Sequence, residues 1–433
     1  VPYGQGIMRA TAWKIGSLAH REQDGLWWLF FQSEWTGYRK KISRNTWMED
    51  TANGEVSCRH CWRNGHGRSA LSISDSDLEE AFAAQGRPPD PVCELKDHPW
   101  FEVNCVAASA RSAGKTYREA VGERWAFAWE IPEKVAGMTV VDAADIDEVS
   151  KHVDFVFCAV DMKKDEIRAL EEAYAKHEIP VVSNNSACRG IEDVPMVVPE
   201  INADHLAVIE AQKKRLGTKN GFIAVKPNCS IQSYVPALTP LLDFEPEKVS
   251  VCTYQAISGA GKTFKTWPEM VDNVIPYIGG EDEKSENEPL KLWGHVEDGK
   301  IVNATLPVIS AQCLRVACSD GHMAAVSVSF KKKPTIEQIK ERWANYETEA
   351  QRLELPSAPK PFLQYFEDPS RPQTRLDRDF QNGFGVSIGR LREDKLFDYR
   401  FVCLSHNTVR GAAGGGILTA ELLCRKGYIP HRV

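Results

Sequence analysis

The sequence lacks a hydrophobic run long enough to cross a membrane. The longest near its start, Leu26–Phe31, is far below the about 20 residues a membrane helix needs. No basic-then-apolar leader precedes it, which sets a cytoplasmic expectation. Neither sign of charge dominates: 53 Lys and Arg stand against 60 Asp and Glu, a net charge of −7. That removes the electrostatic case for a nucleic acid or an anionic membrane as the main partner. Glycine (30) and proline (24) are near average usage in 433 residues, which excludes collagen-like and low-complexity classes. Twelve cysteines are few for this length, and without a leader they are expected as thiols. What remains is a globular chain of roughly two or three domains, without internal repeats.

The chain changes character near residue 95. Residues 1–94 carry clustered Trp and Arg and no sustained period of 2.0 or 3.6, and end in the Pro-rich Arg87–Pro91. This reads as an atypical N-terminal segment, disordered or translated out of frame. Beyond it, the apolar run Val153–Val160, a helical stripe through Ile167, Leu170, Ala173 and Tyr174, and the run Ile179–Val182 make a strand–helix–strand unit. That spacing implies a parallel sheet. Val249–Ile257 and Met323–Phe330 alternate as half-buried strands do, so the second half reads as α+β with a mixed sheet. Thr335 and Gln338 form a capping box for a helix running to about Leu353. Gly411–Lys426 reads as a terminal helix closed by Gly427.

Several constellations could carry chemistry. Cys229, in Pro227-Asn228-Cys229-Ser230, sits at a strand-to-helix turn. Backbone N–H groups and a helix N-terminus would depress its thiol pKa and make it a nucleophile; an inert buried cysteine is the plain alternative. His322, in a loop before a strand, could act as base to a distant cysteine or be a surface loop histidine. Ser258-Gly259-Ala260-Gly261-Lys262-Thr263 resembles the end of a phosphate loop, but Ala256 stands where a Walker loop needs glycine. Cys58, Cys61 and His66 have zinc-knuckle spacing, but Leu71 occupies the fourth ligand position, so no metal is expected.

From about Leu95 onward the chain resembles aspartate-semialdehyde dehydrogenases. The resembling segments, in order, are Ala108–Lys115, Val182–Ala187, Val198–Asn202, Pro227–Ser230, Gln255 with Ser258–Gly261, Gly280–Lys284, Gln312–Arg315, Asp320–His322 and Ser405–Gly415. The resemblance implies an α/β fold: a Rossmann-like NADP-binding domain (95–226), an α+β catalytic and dimerisation domain (227–404) and a C-terminal helix (405–433) that returns to the first domain. It implies NADP-dependent interconversion of L-aspartyl 4-phosphate and L-aspartate 4-semialdehyde, in lysine, threonine and methionine biosynthesis, by a homodimer or homotetramer. Cys229 would form the thioester and His322 would be the general acid–base, with Asn228 and Gln255 positioning the intermediate. Arg315 would hold the substrate carboxylate, Glu281 its amino group, and Arg189 and Lys284 the phosphate. Ser109, Arg111, Ser112, Ser183, Ser258, Gly259, Gly261 and Asn407 would line the NADP site. A related malonyl-CoA or acyl-phosphate reductase, or a non-catalytic product of a faulty frame, are the alternatives.

The chain departs from this pattern in one place. The glycine-rich turn that brings a pyrophosphate onto a helix N-terminus is not recognisable before Leu95. One back-translation of Cys58–Leu71, shifted by a base, reads VGIAGATGTVGQR, which has the missing form. The chain as written is therefore expected to bind NADP weakly and to leave its parallel sheet with an unpaired edge.

Overall fold

The computed structural model describes residues 95–122 and 130–429, together with three upstream strands, Met8–Trp13, Met48–Asp50 and Val56–Cys58. Cys61, His66 and the rest of residues 59–71, most of the stretch with the out-of-frame reading, lie outside the described residues.

Six strands form the first sheet: β1 (Met8–Trp13), β2 (Phe101–Ala108), β3 (Val140–Asp142), β4 (Phe155–Cys158), β5 (Val181–Ser183) and β6 (Ile223–Val225). Their order is β3-β2-β1-β4-β5-β6, and every neighbouring pair is parallel. This is the doubly wound order whose switch point lies beside the first strand. All four residues of β4 are buried, as an apolar strand covered on both faces requires. Helix α1 (Lys164–Lys176) links β4 to β5 and turns Ile167, Glu171, Tyr174 and Ala175 inward, one face of a 3.6-residue period.

The expected unpaired edge is not what the structure shows. Met8–Trp13 occupies the slot between β2 and β4, with a register shift between Ala10 and Thr11. The slot presents unmet N–H and C=O groups from both neighbours, which an extended segment satisfies. Its sequence, with Arg9 and Thr11, departs from the continuous apolar run usual for a central parallel strand.

The second sheet contains β7 (Pro246–Gln255), β8 (Val274–Ile275), β9 (Val308–Val316), β10 (His322–Phe330), β11 (Leu363–Phe366), β12 (Val386–Glu393) and β13 (Tyr399–Ser405). The order is β8-β9-β7-β10-β13-β12-β11. It is mixed: β9 with β7 and β11 with β12 are parallel, the other pairs antiparallel. Helix α2 (Glu281–Leu292) lies against β9. The capping box opens α3 (Ile336–Ala344), with the Thr335 hydroxyl accepting from Gln338 N–H at 3.2 Å. This helix stops at Asn345, short of the expected Leu353, because Thr348 and Gln351 form a second capping box that starts a separate turn, Glu349–Arg352. The terminal helix also begins later than expected. A π-turn, Val409–Ala413, precedes α4 (Gly414–Arg425). Ile417, Leu418 and Leu422 of α4 share a buried cluster with Phe155, Phe157 and Phe222 of the first sheet region.

Candidate active site

The turn after β6 is built by its own side chains. Lys226 N–H donates to the Ser183 carbonyl at 3.0 Å, fixing the strand end to β5. Asn228 Oδ1 accepts from the Ser230 N–H (2.8 Å) and hydroxyl (2.7 Å), an Asx-type turn. Its Nδ2 donates to both Glu281 oxygens at 3.0 and 3.1 Å, and its backbone N–H to Glu288 Oε2 at 2.6 Å. Cys229 rides on this turn, half-buried and a free thiol. Its pKa is raised, not depressed as the sequence suggested: burial comes first and the Glu281 carboxylate second, ahead of Lys226, Arg315 and Arg189, which pull it down. The helical segment beyond it is three short pieces, Ile231–Ser233, Val235–Leu238 and Thr239–Phe244, of which the first and last are 3-10.

Sheet register brings the next residues alongside one another. Arg315 pairs in register with Gln255 on β9 and β7, and His322 opens the adjacent β10. His322 is fully buried; Ala256 N–H donates to its Nδ1 at 3.1 Å, while Nε2 has no partner among the described residues. The resting proton therefore sits on Nε2. Burial, with Arg315 second, holds the ring pKa well below the ordinary histidine value. Arg315 donates Nη1 to the Ala256 carbonyl at 2.7 Å and makes no ion pair with a carboxylate among the described residues. Gly259 is the residue on which both depend: a Cβ there would lie 2.9 Å from Arg315 Nη1 and from His322 Nε2.

Helix α2 presents one stripe to this site, Glu281, Lys284, Ser285, Glu288 and Lys291, at helical spacing. Glu281 accepts from Asn228, from Gln255 Nε2 (3.2 Å) and from Lys284 Nζ (2.8 Å). Burial alone would raise its pKa; Lys284, Gln255 and Asn228 outweigh that and leave it lowered, a carboxylate at rest. Arg189 donates Nη1 to Glu288 (2.9 Å) and Nη2 to the Asn184 carbonyl (3.1 Å). Lys291 Nζ donates to the carbonyls of Arg189, Ile191 and Val194 at 2.7, 2.7 and 3.0 Å.

The residues expected around a dinucleotide occupy separate loops. Ser109, Arg111 and Ser112 form a turn just beyond β2, closed by Ser112 N–H on the Ser109 carbonyl at 2.9 Å. Ser183 ends β5, and its hydroxyl is engaged by Glu171. Asn407 joins two loops: its Oδ1 accepts from Gly321 N–H at 2.7 Å and its Nδ2 donates to Ser258 Oγ at 2.9 Å. Gly261 takes φ +62° at the end of the Ser258 loop. Among the described residues no group of three or more His, Cys, Asp or Glu could hold a metal.

Sequence reasoning missed Lys226, Glu288 and Lys291. Lys226 is almost wholly buried, with its Nζ on the Pro227 carbonyl at 2.8 Å, and burial with Arg189 nearby lowers its pKa to about 7. The α2 spacing from Glu281 would have found the other two. Glu200 and Arg410, which lie within the Val198–Asn202 and Ser405–Gly415 segments, form a buried pair at 2.8 Å that ties the first domain to the π-turn.

Comparison with known proteins decides the family. Residues 92–209 match the semialdehyde dehydrogenase NAD binding domain, and residues 238–410 match the semialdehyde dehydrogenase dimerisation domain. An aspartate-semialdehyde dehydrogenase from Aspergillus fumigatus is 42% identical over 344 residues, covering 77% of this chain and 93% of the relative. The chain belongs to the aspartate-semialdehyde dehydrogenase family. An archaeal member from Archaeoglobus fulgidus is also 42% identical, over 77% of this chain and 94% of its own length. The crystal structure of the Candida albicans enzyme with NADP has a TM-score of 0.71 at 37% identity, covering 78% of this chain and 95% of that one. The family match begins at residue 92, downstream of the strand that fills the centre of the sheet.

Proposed function

We propose that this chain interconverts L-aspartyl 4-phosphate and L-aspartate 4-semialdehyde, with NADP as hydride carrier, through a thioester on Cys229. The observation that carries this reading is the pairing of opposite charges around one half-buried thiol. Arg315 offers a buried guanidinium with no carboxylate partner among the described residues, and Glu281 offers a carboxylate kept ionised. A substrate bearing an α-carboxylate and an α-ammonium fits that pair, with planar Arg matching the carboxylate. Asn228 and Gln255 fix the Glu281 carboxylate, and Arg189 with Lys284 supplies cations for the phosphate.

In the reductive direction the Cys229 thiolate attacks the acyl carbon, the C–S bond forms, the C–O bond to phosphate breaks, and phosphate leaves. The thiol first gives its proton to water; Lys226, Arg315 and Arg189 favour the thiolate against the burial and the Glu281 carboxylate that raise its pKa, and Arg189 compensates the leaving dianion. His322 Nε2 is the donor for the oxygen of the tetrahedral intermediate. The residues present fit a dinucleotide at the sheet's switch point: the Ser109–Ser112 turn leaves the end of β2, and Asn184 Oδ1 is buried beside Gly416 with no partner among the described residues. Ser109, Arg111 and Ser112 would hold the 2′-phosphate end, and Ser183, Ser258–Gly261 and Asn407 the nicotinamide end. NADP, when bound, supplies the hydride chemistry.

A homodimer is part of the same reading. Tyr254, Val274, Tyr277 and Val308 stand exposed on and beside β7, β8 and β9, an apolar face of the domain matched as a dimerisation domain. No helix of the described residues is long and apolar enough to cross a membrane, in keeping with a cytoplasmic enzyme. The test is NADPH formation at saturating NADP. It is expected to require aspartate semialdehyde and phosphate together; a rate indifferent to phosphate would overturn the reading.

A further inference from the structure

Glu288 stands at a junction that the reaction does not by itself require. One oxygen accepts from Arg189 Nη1 at 2.9 Å, the other from the Asn228 backbone N–H at 2.6 Å, next to the nucleophile. Both side chains of the Arg189–Glu288 pair are only 11% exposed. Elsewhere on the guanidinium, Nη2 donates to the Asn184 carbonyl, and Nε is buried with no partner among the described residues. The backbone behind it is held too, because Lys291 grips the carbonyls of Arg189, Ile191 and Val194. At rest, Arg189 is therefore held in a nearly buried ion pair with Glu288. An anion that binds the guanidinium through Nη1 competes with the Glu288 carboxylate for that donor.

We propose that Glu288 is an internal competitor for Arg189: its carboxylate occupies the guanidinium in the phosphate-free site, yields it to the acyl phosphate or free phosphate, and couples that exchange to the nucleophile turn through the Asn228 N–H. This rests on the assignment of phosphate to Arg189 in the proposed function. Two consequences have opposite signs. Removing the Glu288 charge releases Arg189 and strengthens phosphate binding, because a dianion no longer displaces a carboxylate in a poorly solvated pair. Weakening the bond to Asn228 N–H loosens the Cys229 turn and slows the chemistry. Glu288 is thus a positioning residue that touches neither substrate nor cofactor.

The test is steady-state kinetics of the full chain at saturating NADP, comparing the wild type with Glu288→Gln, Glu288→Asp and Arg189→Lys. The inference expects Glu288→Gln to lower the KM for inorganic phosphate at least threefold and kcat at least tenfold, with the KM for the semialdehyde unchanged. Glu288→Asp restores the charge and should move both parameters back toward wild type. Mere structural damage would raise the KM for both substrates. A second readout, free of turnover, is the phosphate concentration that half-protects Cys229 from alkylation, expected to fall in the same ratio. An unchanged or raised phosphate KM in Glu288→Gln, while Arg189→Lys raises it tenfold or more, overturns the inference alone. An unchanged phosphate KM in Arg189→Lys removes phosphate from Arg189, and the inference falls with that assignment.

Discussion

Gly411 abuts Cys229: a Cβ built on Gly411 would lie 2.7 Å from the Cβ of Cys229. The π-turn Val409–Ala413 brings Gly411 there, and the buried Arg410–Glu200 pair anchors the turn. The nucleophile is thus located from two sides, by its own Asx-type turn and by a glycine from the far end of the chain. Gly411→Ala forces one backbone away from the other. Misplacing a reacting group by about 1 Å costs on the order of a hundredfold in rate. Gly411→Ala is expected to lower kcat by about 10- to 100-fold with a smaller change in semialdehyde KM, measured by steady-state kinetics. An unaltered kcat would show that the contact does not set the position of Cys229.

Lys226 makes stability depend on pH. Its folded pKa of about 7 lies below the ordinary lysine value of 10.5. Between those values the unfolded chain binds more protons than the folded one, so stability rises with pH, by up to about 1.4 kcal/mol per pH unit for each such group. Lys291, lowered to about 8 by burial, adds to the rise from there upward. Urea midpoints of the wild type are expected to increase from pH 7 to 9. In Lys226→Met the rise should begin only near pH 8 and be shallower; parallel curves would remove Lys226 as its source.

His322 sets the acid side of the rate profile. Its pKa is lowered well below 6.5 by burial and by Arg315, so the neutral ring with Nε2–H persists to lower pH than for an exposed histidine. The acid limb of kcat assigned to His322 is expected well below pH 6.5. In Arg315→Met, which removes one cause of the lowering, that limb should move upward. A limb at the ordinary histidine value in the wild type would contradict the buried, neutral resting state.

Much of this site is legible in the sequence. Cys229 and His322 are picked out by residue type, and Arg315, Glu281, Lys284, Asn228 and Gln255 by the family resemblance; the structure sets Arg315 beside Gln255 and joins Asn228, Gln255 and Lys284 to Glu281. The strand–helix–strand unit is legible because β4 and β5 are apolar on both faces and α1 keeps a strict stripe. The raised thiol pKa is not legible, since it depends on burial beside Glu281, which lies 52 residues downstream. The ends of helices α3 and α4 are misjudged because a second capping box and a π-turn interrupt otherwise periodic sequence. The α2 spacing from Glu281 points to Glu288 as a residue facing the site, but its role is not legible, because its partners, Arg189 and Asn228, meet only in the fold.

The N-terminal region is where sequence and family part. Residues 1–94 show no glycine-rich turn of the family's form, and the family match begins at 92. Replacing residues 1–94 by Met followed by VGIAGATGTVGQRF is expected to tighten NADP binding at least tenfold, measured by calorimetry. Equal affinity in the two versions would show that residues 1–94 already supply a pyrophosphate site.

The central claim is covalent catalysis by Cys229, and it is most directly tested without any nucleotide. With aspartyl 4-phosphate alone, the enzyme is expected to release one phosphate per site in a burst and to carry the aspartyl group on Cys229, found by mass spectrometry after acid quench. Cys229→Ala should show neither burst nor adduct while remaining folded. A burst that survives in Cys229→Ala, or an adduct on another residue, would contradict the account.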